Sequence, residues 1–233
     1  MKDILVIGGG KIGSVVAALL VDTPENNGYR VTVADRSAAL LAQLTPGGNP
    51  RLNTLLLDVA DPIKLRDALQ GRFAVLSAAP YHLTLQVAQA ARDVGVHYLD
   101  LTEDVASTRA IRALADGATT AFIPQCGLAP GFISIVAADL ARRFDSLDSV
   151  RMRVGALPAY PSNALNYNLT WSTEGVINEY CEPCEAIVDG QVREVPALEE
   201  REEFSLDGVL YEAFNTSGGR VRSAKRSPAR CAR

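Results

Sequence analysis

The apolar run Ile4-Leu5-Val6-Ile7, followed at once by Gly8, Gly10 and Gly13, narrows the fold more than any other stretch. A run that is apolar at every position predicts a parallel strand covered by helices on both faces. Residues 14–21, rich in Ala, Val and Leu, predict a helix directly after the turn. In a strand–turn–helix of this kind Gly8 allows the tight turn, Gly10 lets backbone approach a diphosphate, and Gly13 lets helix and strand pack closely. The amide groups at the helix start, around Lys11 and Ile12, then face the anion, favoured by the helix dipole. A glycine-rich turn by itself only tightens a joint. The distinguishing context is an acid closing the next strand. Residues 30–34 (Arg-Val-Thr-Val-Ala) form such a strand, and Asp35 ends it, 22 residues after Gly13. The pattern predicts a bound dinucleotide.

At 233 residues the chain can bury a substantial core. Its 48% hydrophobic and 21% charged residues are ordinary for a soluble α/β protein. No apolar run approaches the ~20 residues of a membrane-spanning helix, and the N-terminal run, broken by glycines, lacks the pattern of a secretory leader. We therefore expect a cytoplasmic protein without a membrane partner. Four cysteines are too few for a disulfide framework. The net charge of −4 gives no footing for nucleic acid. It conceals an asymmetry: residues 220–233 hold six basic groups and no acid.

Strands and helices alternate through the first half. Strands are predicted over 52–59, 73–79, 97–102 and 119–124, with helices over 37–44, 62–69, 83–94 and 104–115 between them. This predicts an α/β fold, a Rossmann-type doubly wound parallel sheet whose ligand lies beyond the carboxyl ends of the strands. The cofactor candidates are then Gly8, Gly10, Lys11, Ile12, Gly13, Asp35, Arg36, Asp58, Val59, Ala78, Ala79 and Pro80. Beyond Gly131 the pattern changes to a helix over 132–144, strands over 150–157 and 167–171, a helix over 172–180, and two hairpins turning on Asp189-Gly190 and Asp207-Gly208. We divide the chain into a dinucleotide domain (1–131), an incomplete α+β substrate and dimerisation domain (132–219), and a disordered basic tail (220–233). A homodimer through the second region is expected from its exposed strand edges.

Two stretches, Gln125-Cys-Gly-Leu-Ala-Pro-Gly131 and Asn168-Leu-Thr-Trp-Ser-Thr-Glu-Gly-Val-Ile-Asn-Glu-Tyr180, resemble the saccharopine dehydrogenase family, in its bacterial lysine-dehydrogenase-like branch. The resemblance covers residues 1–219. Members of the family continue past that point, so the tail reads as a truncation or frameshift, or as a genuine short variant. The resemblance implies an NAD- or NADP-dependent oxidoreductase acting at a C–N bond of a lysine-derived amino acid. By the same resemblance Trp171, Thr173, Glu174 and Asn178 face substrate.

Asp35 favours NAD, because its carboxylate accepts hydrogen bonds from a ribose and repels a 2′-phosphate. Arg36 could instead pair with a 2′-phosphate or stack on adenine, or stand as a solvated surface charge. Tyr81 and His82, after the fourth strand, are candidate proton carriers. Asp100 and Glu103 end the fifth strand, where they could act as a base or bind a substrate ammonium; Asp104 is read as a helix cap. Cys126, at the mouth of the sheet, is either a small buried hydrophobe or a further catalytic candidate that places a thiol near the reacting carbon. His97, at the amino end of its strand, is read as structural, as is the pair Cys181 and Cys184, and no metal site is expected. A second reading stays open: a dinucleotide-binding chain without turnover that acts through association.

Overall fold

The computed structural model describes residues 1–22, 28–44, 48–155, 157–160, 162–163, 168–169, 172–217 and, for backbone alone, 221–223. The chain divides into two compact units, 1–126 and 127–233.

The first unit alternates strand and helix: β1 (Lys2–Ile7), α1 (Lys11–Asp22), β2 (Tyr29–Asp35), α2 (Ala38–Leu44), β3 (Leu52–Leu56), α3 (Pro62–Leu69), β4 (Ala74–Ser77), α4 (Tyr81–Val94), β5 (His97–Asp100), α5 (Val105–Ala115) and β6 (Phe122–Ile123). All strand pairs are parallel, in the order β3-β2-β1-β4-β5-β6. This is the doubly wound order, with the switch point between β1 and β4. The wholly apolar β1 now has its physical reason. Leu5 and Ile7 enter one core with Val75, Leu65, Leu69, Val87, Ala91 and Ile111. Ile4 and Val6 enter the other, with Val31, Val33, Ala17, Val21 and Leu41. Each of these Val, Leu and Ile side chains that is fully buried contributes about 1.5–3 kcal/mol relative to exposure.

Local signals fix the helix ends. Asp61 caps α3, its Oδ1 accepting the amides of Ile63 and Lys64 at 3.1 Å each, with Pro62 at the first helical position. Gly95, at φ 73°, stops α4. Asp104 caps α5 through the Ser107 amide at 2.6 Å. Strands 3 to 6 are shorter than the sequence predicts. Their last residues leave the ladder and become the loops at the carboxyl edge.

The second unit comprises α6 (Phe132–Ala141), β7 (Ser149–Val150), α7 (Thr173–Cys181), β8 (Cys184–Val188), β9 (Gln191–Val195), β10 (Glu202–Leu206), β11 (Val209–Ala213) and β12 (Val221–Ser223). Both predicted hairpins form, β8–β9 and β10–β11. Their turn residues Asp189, Gly190, Asp207 and Gly208 all take positive φ, which matches the right-handed twist of the flanking strands.

Two expectations need correction. The strand predicted over 150–157 is reduced to β7. Residues 151–155 carry no strand, and Arg151 and Arg153 are instead drawn to Glu202, at 2.7 and 2.5 Å. The tail does not begin as disordered chain, since residues 221–223 form β12, antiparallel to β7 and parallel to β8. Without it β8 would present an unpaired edge. The basic composition hid this pairing because strand addition is a backbone interaction. The strand expected over 167–171 lies mostly outside the described residues, as does all of the chain after 223.

Candidate functional site

The carboxyl edge of the six-stranded sheet gathers the turn after β1, the end of β2, and the starts of the connections after β3, β4 and β5. The glycines of the first turn have three distinct environments. Gly8 sits at φ 101°, and a Cβ there would meet the Ala78 carbonyl oxygen at 2.7 Å. At Gly13 a Cβ would lie 1.8 Å from the Gly8 carbonyl oxygen, a distance no side chain can occupy. Around Gly10 nothing stands within 4 Å. The turn is therefore closed on its inner side and open at the start of α1, where the unpaired helical amides lie. This shape fits a diphosphate: room for the anion at Gly10, with the helix brought close by Gly13.

The turn is held against β2. The Gly8 amide donates to the Ala34 carbonyl oxygen at 2.8 Å, and the Gly9 amide donates to Asp35 Oδ2 at 2.7 Å. The other oxygen of Asp35 accepts the Ser37 amide at 2.8 Å. Lys11, Ile12 and Arg36 are exposed around this site. Asp58 is exposed and turns its own loop by accepting the Ala60 amide at 3.0 Å. Val59 is buried, and its carbonyl accepts from the Gln86 amide group of α4. Ala78 continues the sheet through a bond from its amide to the Ile7 carbonyl at 2.7 Å, while Pro80 stands at the start of α4. Tyr81 is half-buried and His82 exposed on the first turn of α4, their rings edge to face at 5.9 Å.

Asp100 stands apart from the other strand-end acids. It is 1% exposed. Oδ1 accepts the amides of Thr102 and Gln125 at 2.9 and 3.1 Å, and Oδ2 accepts the Tyr98 hydroxyl at 2.9 Å. Burial pushes its carboxyl above the usual carboxylate range, opposed by those three hydrogen bonds. The Tyr98 hydroxyl is raised as well, first by burial and then by the neighbouring Asp100. With the Cys126 amide on its carbonyl oxygen at 2.7 Å, Asp100 holds the segment after β6, where Gln125 adopts φ 62°. The geometry is that of an internal anchor, and it corrects the expectation that Asp100 stands open as a base. Glu103 is buried beside it. The Cys126 thiol is half-buried, and burial first and then Asp100 raise it, which disfavours the thiolate. His97 is structural: its Nδ1 accepts the Ala121 amide at 3.0 Å and its ring packs on Phe73.

In the second unit Ser172 caps α7 by accepting the Gly175 amide at 3.2 Å. Thr173 and Glu174 lie exposed on its first turn, and Asn178 is half-buried further along. Trp171 lies outside the described residues. Cys184 is fully buried with its thiol pushed up to about 11, chiefly by burial, while Cys181 is exposed. Among the described residues no group of three or more His, Cys, Asp or Glu side chains is placed to hold a metal, and no helix is long and apolar enough to cross a membrane. Sequence reasoning missed the bond from Gly9 to Asp35 and the pairing of Tyr98 with Asp100. Only the alternation in β5, which puts Tyr98 and Asp100 on one face, hinted at the second.

Two outcomes follow. Gly10→Ala should leave the melting temperature within a few degrees of wild type and weaken dinucleotide binding at least about tenfold, because its Cβ enters only the anion's space. Gly13→Ala should destabilise the fold by more than about 3 kcal/mol; thermal melts and cofactor titration read both, and equal effects on stability would refute the division of roles. Asp100→Asn should keep the fold, since the Tyr98 hydroxyl can donate instead to the Thr84 carbonyl oxygen, 3.2 Å away, and accept from the new amide. The raised carboxyl of Asp100 gives stability that is full below its ordinary value of 3.8 and is lost as pH rises through its folded value. Urea unfolding across the mildly acidic range should therefore show wild type losing stability relative to Asp100→Asn as pH rises, and parallel profiles would refute it.

Residues 4–123 match the saccharopine dehydrogenase NADP binding domain, and residues 127–226 match the saccharopine dehydrogenase C-terminal domain. The second match runs past residue 219 and includes β12, which extends the resemblance read from the sequence. The mitochondrial alpha-aminoadipic semialdehyde synthase of Mus musculus is 26% identical over 198 residues, covering 82% of this chain and 21% of that protein. The saccharopine dehydrogenase [NADP(+), L-glutamate-forming] of Schizosaccharomyces pombe is 26% identical over 183 residues, covering 76% of this chain and 40% of its own. The structure of apo saccharopine dehydrogenase (L-Glu forming) from Saccharomyces cerevisiae shares the fold at a TM-score of 0.67 and 21% identity, covering 96% of this chain and 55% of that one. The chain thus spans from about a fifth to about half of the lengths of these relatives. With two matched domains that together take in nearly all of its residues, the chain belongs to the saccharopine dehydrogenase family.

Proposed function

We propose that the chain is a nicotinamide-dinucleotide-dependent oxidoreductase acting on the C–N bond of a lysine-derived amino acid. The observation that carries the cofactor is the glycine turn, closed at Gly8 and Gly13 and open at Gly10. Family membership supports the C–N chemistry. The bound dinucleotide would supply a hydride acceptor. The chain's own residues would orient the substrate and take the amine proton, with Tyr81 and His82 the proton carriers that stand at the carboxyl edge of the sheet. Thr173, Glu174 and Asn178 are the proposed substrate contacts in the second unit.

Within the pair NAD and NADP we propose NAD, although the matched domain is described as NADP-binding. Asp35 is fixed at the end of β2 by two amides, and its carboxylate would repel a 2′-phosphate. Wild-type protein should quench NADH fluorescence with an affinity at least about tenfold better than NADPH, and should reduce NAD with lysine or saccharopine. Equal or tighter binding of NADPH would overturn the cofactor choice, and no binding of either would overturn the whole reading. Binding without turnover on lysine, saccharopine or related amines would favour the non-catalytic alternative.

We also propose that the chain self-associates through the second unit. No residue of α6 is buried, and Phe132, Ile135 and Leu140 are exposed on it, with Phe144 just beyond. Sedimentation should show a dimer that Ile135→Asp dissociates, and a monomer at high concentration would refute it.

A further inference from the structure

The amides of the glycine turn are not equivalent. That of Gly8 is fastened to a backbone carbonyl, Ala34 at 2.8 Å, and survives any side-chain change. That of Gly9 is fastened to a side chain, Asp35 Oδ2 at 2.7 Å. Gly9 is buried, and a Cβ there would meet Asp35 Cβ at 3.4 Å and Leu44 Cδ1 at 3.5 Å. The turn therefore lies flat against the acid. The acid cannot swing away, because the Ser37 amide holds its other oxygen at 2.8 Å. Each carboxylate oxygen carries more than one acceptor site, so both bonds leave capacity for ribose hydroxyls.

We propose that Asp35 is the positioning residue of the phosphate cradle as well as the reader of the ribose. Its carboxylate keeps Gly9 pinned to β2, and this holds the turn so that Gly10 and the first amides of α1 face outward. Cofactor choice and diphosphate affinity are thereby coupled in one side chain. A change at Asp35 that admits a 2′-phosphate also releases the turn and weakens the diphosphate contact that NAD and NADP share. Replacing the acid does not simply exchange one cofactor for the other. This rests on the dinucleotide reading above.

The test uses a ligand without a ribose. Inorganic pyrophosphate is titrated against wild type, Asp35→Ala and Asp35→Asn, followed by backbone amide NMR, with NADH titrated in parallel. A hydrogen bond to a charged group lost from the turn should weaken pyrophosphate binding about tenfold in Asp35→Ala, with faster hydrogen exchange at the Gly9 amide. Asp35→Asn, which keeps one carbonyl oxygen for Gly9, should fall between and serves if the alanine variant does not fold. NADH affinity reduced with pyrophosphate affinity unchanged in both variants would show that Asp35 reads the ribose alone, and would overturn the proposal while leaving the dinucleotide reading intact. Wild type that binds neither ligand would remove the cradle, and the proposal with it.

Discussion

The approach of Gly13 to the carbonyl oxygen of Gly8 constrains the rest of the first unit. A side chain at position 13 would sit 1.8 Å from that oxygen, so α1 can leave β1 at this angle only because position 13 has none. The angle lays Ala17 and Val21 onto Ile4, Val6, Val31 and Val33, which closes one of the two cores. It also aims the start of α1 past Gly10 into open space. Packing and anion binding are thus two consequences of one backbone contact, and a shift of α1 by the width of a methyl group would disturb both.

Strand ends supply the polar groups of the site, and burial decides what each becomes. Asp35, Asp58 and Asp100 each stand at or just beyond the carboxyl end of a strand. Asp58 stays in water and shapes a loop. Asp35 is half-buried and joins two amides while still reaching the edge of the sheet. Asp100 is enclosed, with a tyrosine hydroxyl and two amides on its oxygens. A buried carboxylate without a cation is tolerated only when hydrogen bonds replace its lost hydration. Those bonds commit the Asp100 carboxylate to Tyr98, Thr102 and Gln125, while its backbone carbonyl holds the Cys126 amide.

The first unit was legible in the sequence because its signals are local. A wholly apolar strand and glycines at a fixed spacing each act within a few residues, and each forms as read. In the second unit the two Asp-Gly turns were legible for the same reason, since positive φ is demanded at the turn itself. β7 and β12 were not. They are two and three residues long and exist because a distant segment completes their hydrogen bonds, which no periodicity records. Gly9 escaped notice similarly: its importance comes from what lies against it, 26 residues later in the chain.

The dinucleotide cradle and the proposed chemistry draw on different parts of the chain. Every feature that shapes the cradle lies between Ile4 and Pro80, inside one unit and one matched domain. Its closed and open glycines, the pinned turn and the acid at β2 are fixed by bonds within the first unit. Amine oxidation asks for more: a substrate held over the nicotinamide and a group to take its proton. Tyr81 and His82, proposed for that proton, stand on the first turn of α4. The side chains proposed to hold the substrate stand on α7, in the other unit. The proposed binding and the proposed turnover therefore rest on separate sets of residues, the first within one unit and the second drawing on both.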